Sequence, residues 1–178
     1  MALINIQSFN DIIIYELDNF ESDVSIFKNI FIKEKHSFNS AQDSISLIKS
    51  KGTVKGLHFQ CSPYQQAKLV TVIDGSILDF IVDLRPSSST FLDHASIELS
   101  HKNNIMIFIP KGFAHGYISQ ENNTKILYKL SCHYSPSHEK TLNWRDETIG
   151  ICWPNQKKYI VSEKDTHGQS LKELMEFL

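Results

Sequence analysis

Between Thr53 and Cys132 the chain breaks into short runs rich in Val, Ile, Leu and Phe, separated by clusters of Gly, Pro, Ser and Asn. That spacing is the mark of strands joined by turns. The runs are VKGLHFQ, AKLVTVIDG, SILDFIVDL, HASIELS, NIMIFIP, GYIS and TKILYKLSC. They predict an all-β fold, a sandwich or jelly roll in preference to a βαβ unit, with helices at the periphery. The C-terminal QSLKELMEFL predicts one such helix, with Leu171, Leu174, Met175 and Leu178 on a single face that caps the sandwich. The first forty residues mix apolar runs, DIIIYEL and SIFKNIFI, with polar breaks. They suit edge strands or an arm exchanged between subunits. A length of 178 residues with 41% hydrophobic content supports a sizeable core and a single domain over 1–178.

Charge and composition exclude several classes of partner. With 18 basic and 20 acidic side chains the formal charge is −2, and no basic stripe suited to a phosphate backbone stands out. Nucleic acid is therefore not expected. No apolar run approaches the roughly 20 residues that cross a bilayer, and the N-terminus lacks the basic start of a secretory signal. A cytoplasmic protein without membrane partners is the expectation. Cys61, Cys132 and Cys152 are odd in number and widely spaced, which argues against both a disulfide framework and a zinc cluster.

Strict alternation in the run Val54–Gln60 puts Val54, Gly56, His58 and Gln60 on one face and Lys55, Leu57 and Phe59 on the other. His58 then points into the barrel. The following run brings Lys68, and the run Ile126–Cys132 brings Tyr128. A lysine inside a barrel wall is costly unless it is paired or functional. Proton abstraction beside a carbonyl uses parts of this kind. It needs a base that titrates near operating pH, as imidazole does at about 6.5, and a cation where the enolate oxygen develops charge. Inversion needs, in addition, an acid on the opposite side of the carbon, and Tyr128 is the candidate.

The segment Ile109–Gly116, IPKGFAHG, carries Pro110, Gly112 and His115 in the spacing PxGxxH, which resembles the second signature of the cupin superfamily. Where the first cupin signature would supply HxH and a glutamate for a metal, this chain reads His58-Phe59-Gln60 with Lys68 downstream. Two histidines and a cation make a poor metal site. No metal is expected.

Taken together the blocks KGLHFQ, QAKLV, GSILDFIVDLRPSSSTF, IPKGFAHGY, LYKLSCHYSP, LNWRDETIGICWP and VSEKD resemble the dTDP-4-dehydrorhamnose 3,5-epimerases and the related 3-epimerases of 4-keto-6-deoxy sugars. The resemblance implies a cupin-type jelly roll, a double-stranded β-helix that forms a homodimer and uses no metal or cofactor. It implies that strands within residues 1–45 cross the dimer interface. It makes His58 the base, Asp165 its dyad partner, Lys68 the cation near the sugar C4 oxygen and Tyr128 the acid. Without it, Asp165 reads as a solvated loop charge. It also implies substrate-binding roles for Gln42, Lys55, His115 and Tyr134, with a nucleotide sugar as the substrate.

Two departures stand out. The family usually reads RGLH where this chain has Lys55-Gly56-Leu57-His58, and a lysine lacks the planar fork of an arginine at a diphosphate. The family's D-x-R-G-x-F-x-E element, which reaches the nucleotide of the neighbouring subunit, is here Phe20–Phe27, with Val24 and Ser25 where arginine and glycine are expected. The reaction that these features imply is inversion at C3, C5 or both of a nucleotide-linked 4-keto-6-deoxyhexose, a step in deoxysugar biosynthesis. Two alternatives share the fold: a sugar 3,4-ketoisomerase, and a non-catalytic sugar-nucleotide-binding cupin.

Overall fold

The computed structural model describes residues 9–154 and 158–178. Its strands are β1 (Ile13–Glu16), β2 (Asp18–Glu21), β3 (Ile26–Asn29), β4 (Gln42–Ile48), β5 (Thr53–Gln60), β6 (Lys68–Asp74) and β7 (Ser76–Asp83). They continue with β8 (His94–Ser100), β9 (Ile105–Ile109), β10 (Phe113–Ser119), β11 (Thr124–Leu130), β12 (Glu139–Thr141) and β13 (Ile160–Val161). One sheet has the order β1-β9-β6-β11-β4 and the other β12-β5-β10-β7-β8, with β13 parallel to β5. From β4 onward the chain crosses repeatedly from one sheet to the other, as a jelly roll requires. Each interior run predicted from sequence lies in one of these strands.

Alternation fills the space between the sheets. Val70 and Val72 of β6, Ile77 and Ile81 of β7, Ile107 of β9, Phe113 of β10 and Ile126 of β11 form its apolar end. Burying side chains of this size contributes about 1.5–3 kcal/mol each. A second core lies on the outer face of the larger sheet, where Val54, Leu57 and Phe59 pack under Trp144, Leu171 and Leu174. The C-terminal segment thus caps the sandwich as predicted, but its face differs. Among the described residues the helices are single turns, α1 (Lys33–His36), α2 (Glu163–Thr166) and α3 (Leu171–Leu174); α3 is capped by Ser170 and Glu173, and a 3₁₀ turn follows over Met175–Phe177. The tighter turn rotates Met175 into solvent, while Leu171 and Leu174 stay buried.

The alternation expected for β5 also needs correction. Val54 lies with Leu57 and Phe59 on the outer face, and Lys55 lies on the inner side with His58. The cause is a bulge: His115 pairs with His58 and Tyr117 with Lys55, so Gly56 and Leu57 together oppose Gly116 alone. Gly56 has φ +107, and a Cβ there would lie 2.6 Å from Gly116 Cα and 2.7 Å from the His115 carbonyl oxygen. Gly56→Ala should therefore destabilise the fold by on the order of 2–4 kcal/mol, read as a lowered denaturant midpoint. An unchanged midpoint would mean that the two strands separate there without cost.

The N-terminal expectation of edge strands holds for β1, which pairs with β9, while β2 and β3 form a separate hairpin. Residues 1–8 of the proposed arm lie outside the described residues. Among the described residues no helix is long and apolar enough to cross a membrane.

Candidate active site

At the end of the barrel opposite its apolar filling, polar side chains from both sheets line a cavity of about 350 Å³. That volume suits a small-molecule site. Seven of the eight predicted site residues, Lys55, His58, Lys68, His115, Tyr128, Tyr134 and Asp165, line it. Gln42 does not. Its side-chain oxygen accepts the Tyr134 backbone N–H at 2.8 Å and its amide donates to Ser44 Oγ at 3.0 Å, so it braces the wall at Tyr134.

His58 and Asp165 meet from opposite ends of the chain. Pairing of Ile160 with Thr53 and Val161 with Val54 sets β13 beside β5, and the next residue, Ser162, caps helix α2 (Glu163–Thr166). Asp165 is the third residue of that turn, and its Oδ1 lies 2.6 Å from His58 Nε2. Ser162 Oγ donates to the other carboxylate oxygen at 2.6 Å. Burial opposes ionisation of Asp165, but the bonds from His58 and Ser162 outweigh it and hold the carboxyl below its ordinary value. An ionised Asp165 keeps the proton on Nε2, which leaves Nδ1 of His58 as the basic nitrogen.

The opposite wall carries Lys68 on β6 and Tyr128 on β11. Alternation places Lys68 inward with Val70 and Val72, and the ammonium donates to the His58 carbonyl oxygen at 3.3 Å. Burial pushes the lysine down to about 8, against the pull of Glu139 and Asp79. Tyr128 is raised well above its ordinary value of 10.0, first by burial. It remains a phenol, able to donate a proton, throughout the neutral range.

Sequence reading missed three further groups. Asp79 is fully buried, and its Oδ2 accepts from His115 Nε2 at 2.8 Å. Burial lowers His115 in spite of this partner and raises Asp79. The signal was present in β7, where a carboxylate occupies the inward face between Ile77 and Ile81. Glu139 and Lys164 form an ion pair at the cavity wall, and the Tyr134 hydroxyl donates to the same Glu139 oxygen at 2.6 Å. This bond pushes Tyr134 up to about 12. Lys164 adjoins Asp165 in the SEKD block, which was its only signal.

The site thus sets a carboxylate-backed imidazole on one sheet against an ammonium and a phenol on the other. The class that this jelly roll and its cavity define is that of the cupin-type isomerases. The family model described as dTDP-4-dehydrorhamnose 3,5-epimerase matches residues 7–173. The chain belongs to this family of carbohydrate epimerases.

Among its relatives, a dTDP-4-dehydrorhamnose 3,5-epimerase of Sinorhizobium fredii is 42% identical over 144 residues, covering 81% of this chain and 74% of the relative. The crystal structure of the Bacillus anthracis enzyme with TDP and PPi bound is 34% identical with a TM-score of 0.89, covering 94% of this chain and 98% of the other. The Legionella pneumophila enzyme in complex with dTDP-4-keto-L-rhamnose is 30% identical with a TM-score of 0.89, covering 96% and 93%.

Proposed function

We propose that this chain inverts C3, C5 or both of a dTDP-linked 4-keto-6-deoxyhexose. The observation that carries the reading is the placement of His58 and Tyr128 on opposite walls of one cavity, with Lys68 beside them. His58 Nδ1 takes the proton next to the ketone, and the C–H electron pair moves to the C4 oxygen. The Lys68 ammonium stabilises that enolate oxygen. Tyr128 then delivers its proton to the opposite face of the carbon, which inverts it. His58 gives its proton to solvent, and solvent restores the phenol. Lys55, Lys164 and Tyr134 at the cavity wall suit the diphosphate, and His115 and Gln42 are assigned to shaping the sugar site.

We assign the working form as a cytoplasmic homodimer. Supporting the dimer, the β2–β3 hairpin exposes Phe20, Ile26 and Phe27, and the edge strand β4 exposes Ile45 and Leu47. The function is tested by incubating the protein with dTDP-4-keto-6-deoxyglucose in deuterated water and following C3 and C5 by NMR. Deuterium uptake with inversion is expected, and absence of exchange at both carbons would overturn the assignment. Uptake with migration of the ketone would identify a ketoisomerase instead.

Tyr128→Phe separates the two half-reactions. The ring and its packing remain, His58 and Lys68 still form the enolate, and the far-face proton is gone. Exchange with retained configuration is expected while inversion falls by roughly 10²- to 10⁴-fold. Inversion at the parent rate would move the acid role to another group.

A further inference from the structure

Tyr117 on β10 faces the cavity but has no place in the steps above. Among the described residues lining the cavity, it carries the one buried side-chain oxygen without a well-formed hydrogen bond. A buried hydroxyl left without a partner is costly, and a phenylalanine would fill the same space at no such cost. The hydroxyl therefore calls for a ligand or a transient partner. Two candidates face it: the side chains of Ser46 on β4 and Tyr128 on β11. Both line the same cavity.

Tyr128 has the matching need. When it gives its proton to the sugar carbon it becomes a phenolate in a buried site, and burial opposes that form. Nothing else described for Tyr128 supplies an O–H donor to its oxygen. Tyr117, itself pushed up to about 12 mainly by burial, keeps its own proton in the resting site and has it free to offer.

We propose that Tyr117 is a positioning residue for the acid step, donating its O–H to the Tyr128 oxygen as that oxygen loses its proton and then relaying a replacement. In the relay the Tyr117 proton passes to the Tyr128 phenolate, and Tyr117 takes one from the Ser46 hydroxyl. Ser46, half-buried on the cavity wall, is resupplied by solvent. One proton enters from solvent for each proton that His58 releases, so the cycle balances. The inference rests on the reading of Tyr128 as the acid.

The test compares the full-length parent protein with Tyr117→Phe, using dTDP-4-keto-6-deoxyglucose in deuterated water. Parent exchange reports on the proposed function, and the ratio of variant to parent inversion reports on the relay. A hydrogen bond to a charged oxygen predicts a fall in kcat for inversion of roughly 10- to 100-fold. KM and ring exchange from the base side should stay at parent values and the melting temperature should equal or exceed the parent's, because the hydroxyl removed makes no well-formed hydrogen bond in the resting site. The solvent isotope effect on inversion should change as the number of protons in flight falls. Parent-like inversion would overturn the relay, as would a loss confined to KM, which would make Tyr117 a substrate contact. Equal losses of exchange and inversion would also overturn it. A parent that neither exchanges nor inverts would overturn function and relay together. If Tyr117→Phe fails to fold, Ser46→Ala cuts the relay at its far end, and unchanged inversion there would decide against it.

Discussion

His58→Asn should remove ring exchange and inversion together, by about 10²- to 10⁴-fold, while leaving the fold intact. The choice of asparagine follows from Asp165, which is 1% exposed and loses its imidazole partner in this variant. An alanine would leave the buried carboxylate with only Ser162 Oγ and the more distant Gly56 N–H. An asparagine keeps a polar amide in the pocket, where an alanine would leave none, and the fold is checked separately so that a loss of activity is not confused with a loss of structure. The measurement is deuterium uptake at C3 and C5, with the melting temperature as the control. Near-parent exchange in a folded His58→Asn protein would require another base.

Lys68→Met should lower turnover by about 10²- to 10³-fold, the usual effect of removing one donor to a developing oxyanion. Its stability should move the other way. The lysine titrates at about 8 in the folded chain against an ordinary value of 10.5, so its buried charge opposes folding at neutral pH by roughly 3 kcal/mol. Methionine removes that charge and keeps the stem. Its melting temperature at neutral pH should equal or exceed that of the parent, although Asp79 loses a nearby cation.

The pH dependence has a definite sign. Because the folded value is depressed, the unfolded chain holds more protons between about 8 and 10.5, and this residue's effect makes the parent more stable as pH rises through that window. Turnover goes the opposite way, declining as the ammonium is lost above about 8. Lys68→Met should show neither trend. A variant that is both fully active and less stable than the parent would mean that Lys68 serves packing alone.

The sequence by itself determined the strand runs and, wherever alternation is unbroken, the direction of the side chains. Period 2 in β6, β10 and β11 turns Lys68, His115 and Tyr128 inward, and all three line the cavity. These assignments depend only on neighbours along the chain, because successive strand residues point to opposite faces. Asp79 was legible on the same basis, as a charge on an apolar face, but its partner His115 was not. Tertiary structure decided everything that depends on a distant segment or on a break in the period. The bulge at Gly56 moved Lys55 to the side of His58, because Gly116 of the neighbouring strand approaches too closely for a regular ladder.

Asp165 lies 107 positions from the histidine it meets, brought there by the pairing of β13 with β5. No local pattern announces such a meeting, and only the family resemblance pointed to it. Met175 left its expected face because a 3₁₀ turn follows Leu174. Tyr117 shows the division most plainly: alternation puts it inside the barrel, but only the fold brings Ser46 and Tyr128 to face its hydroxyl from two other strands. A hydroxyl's partners are set by which strands become neighbours, and that is a property of the closed barrel rather than of any one run of residues.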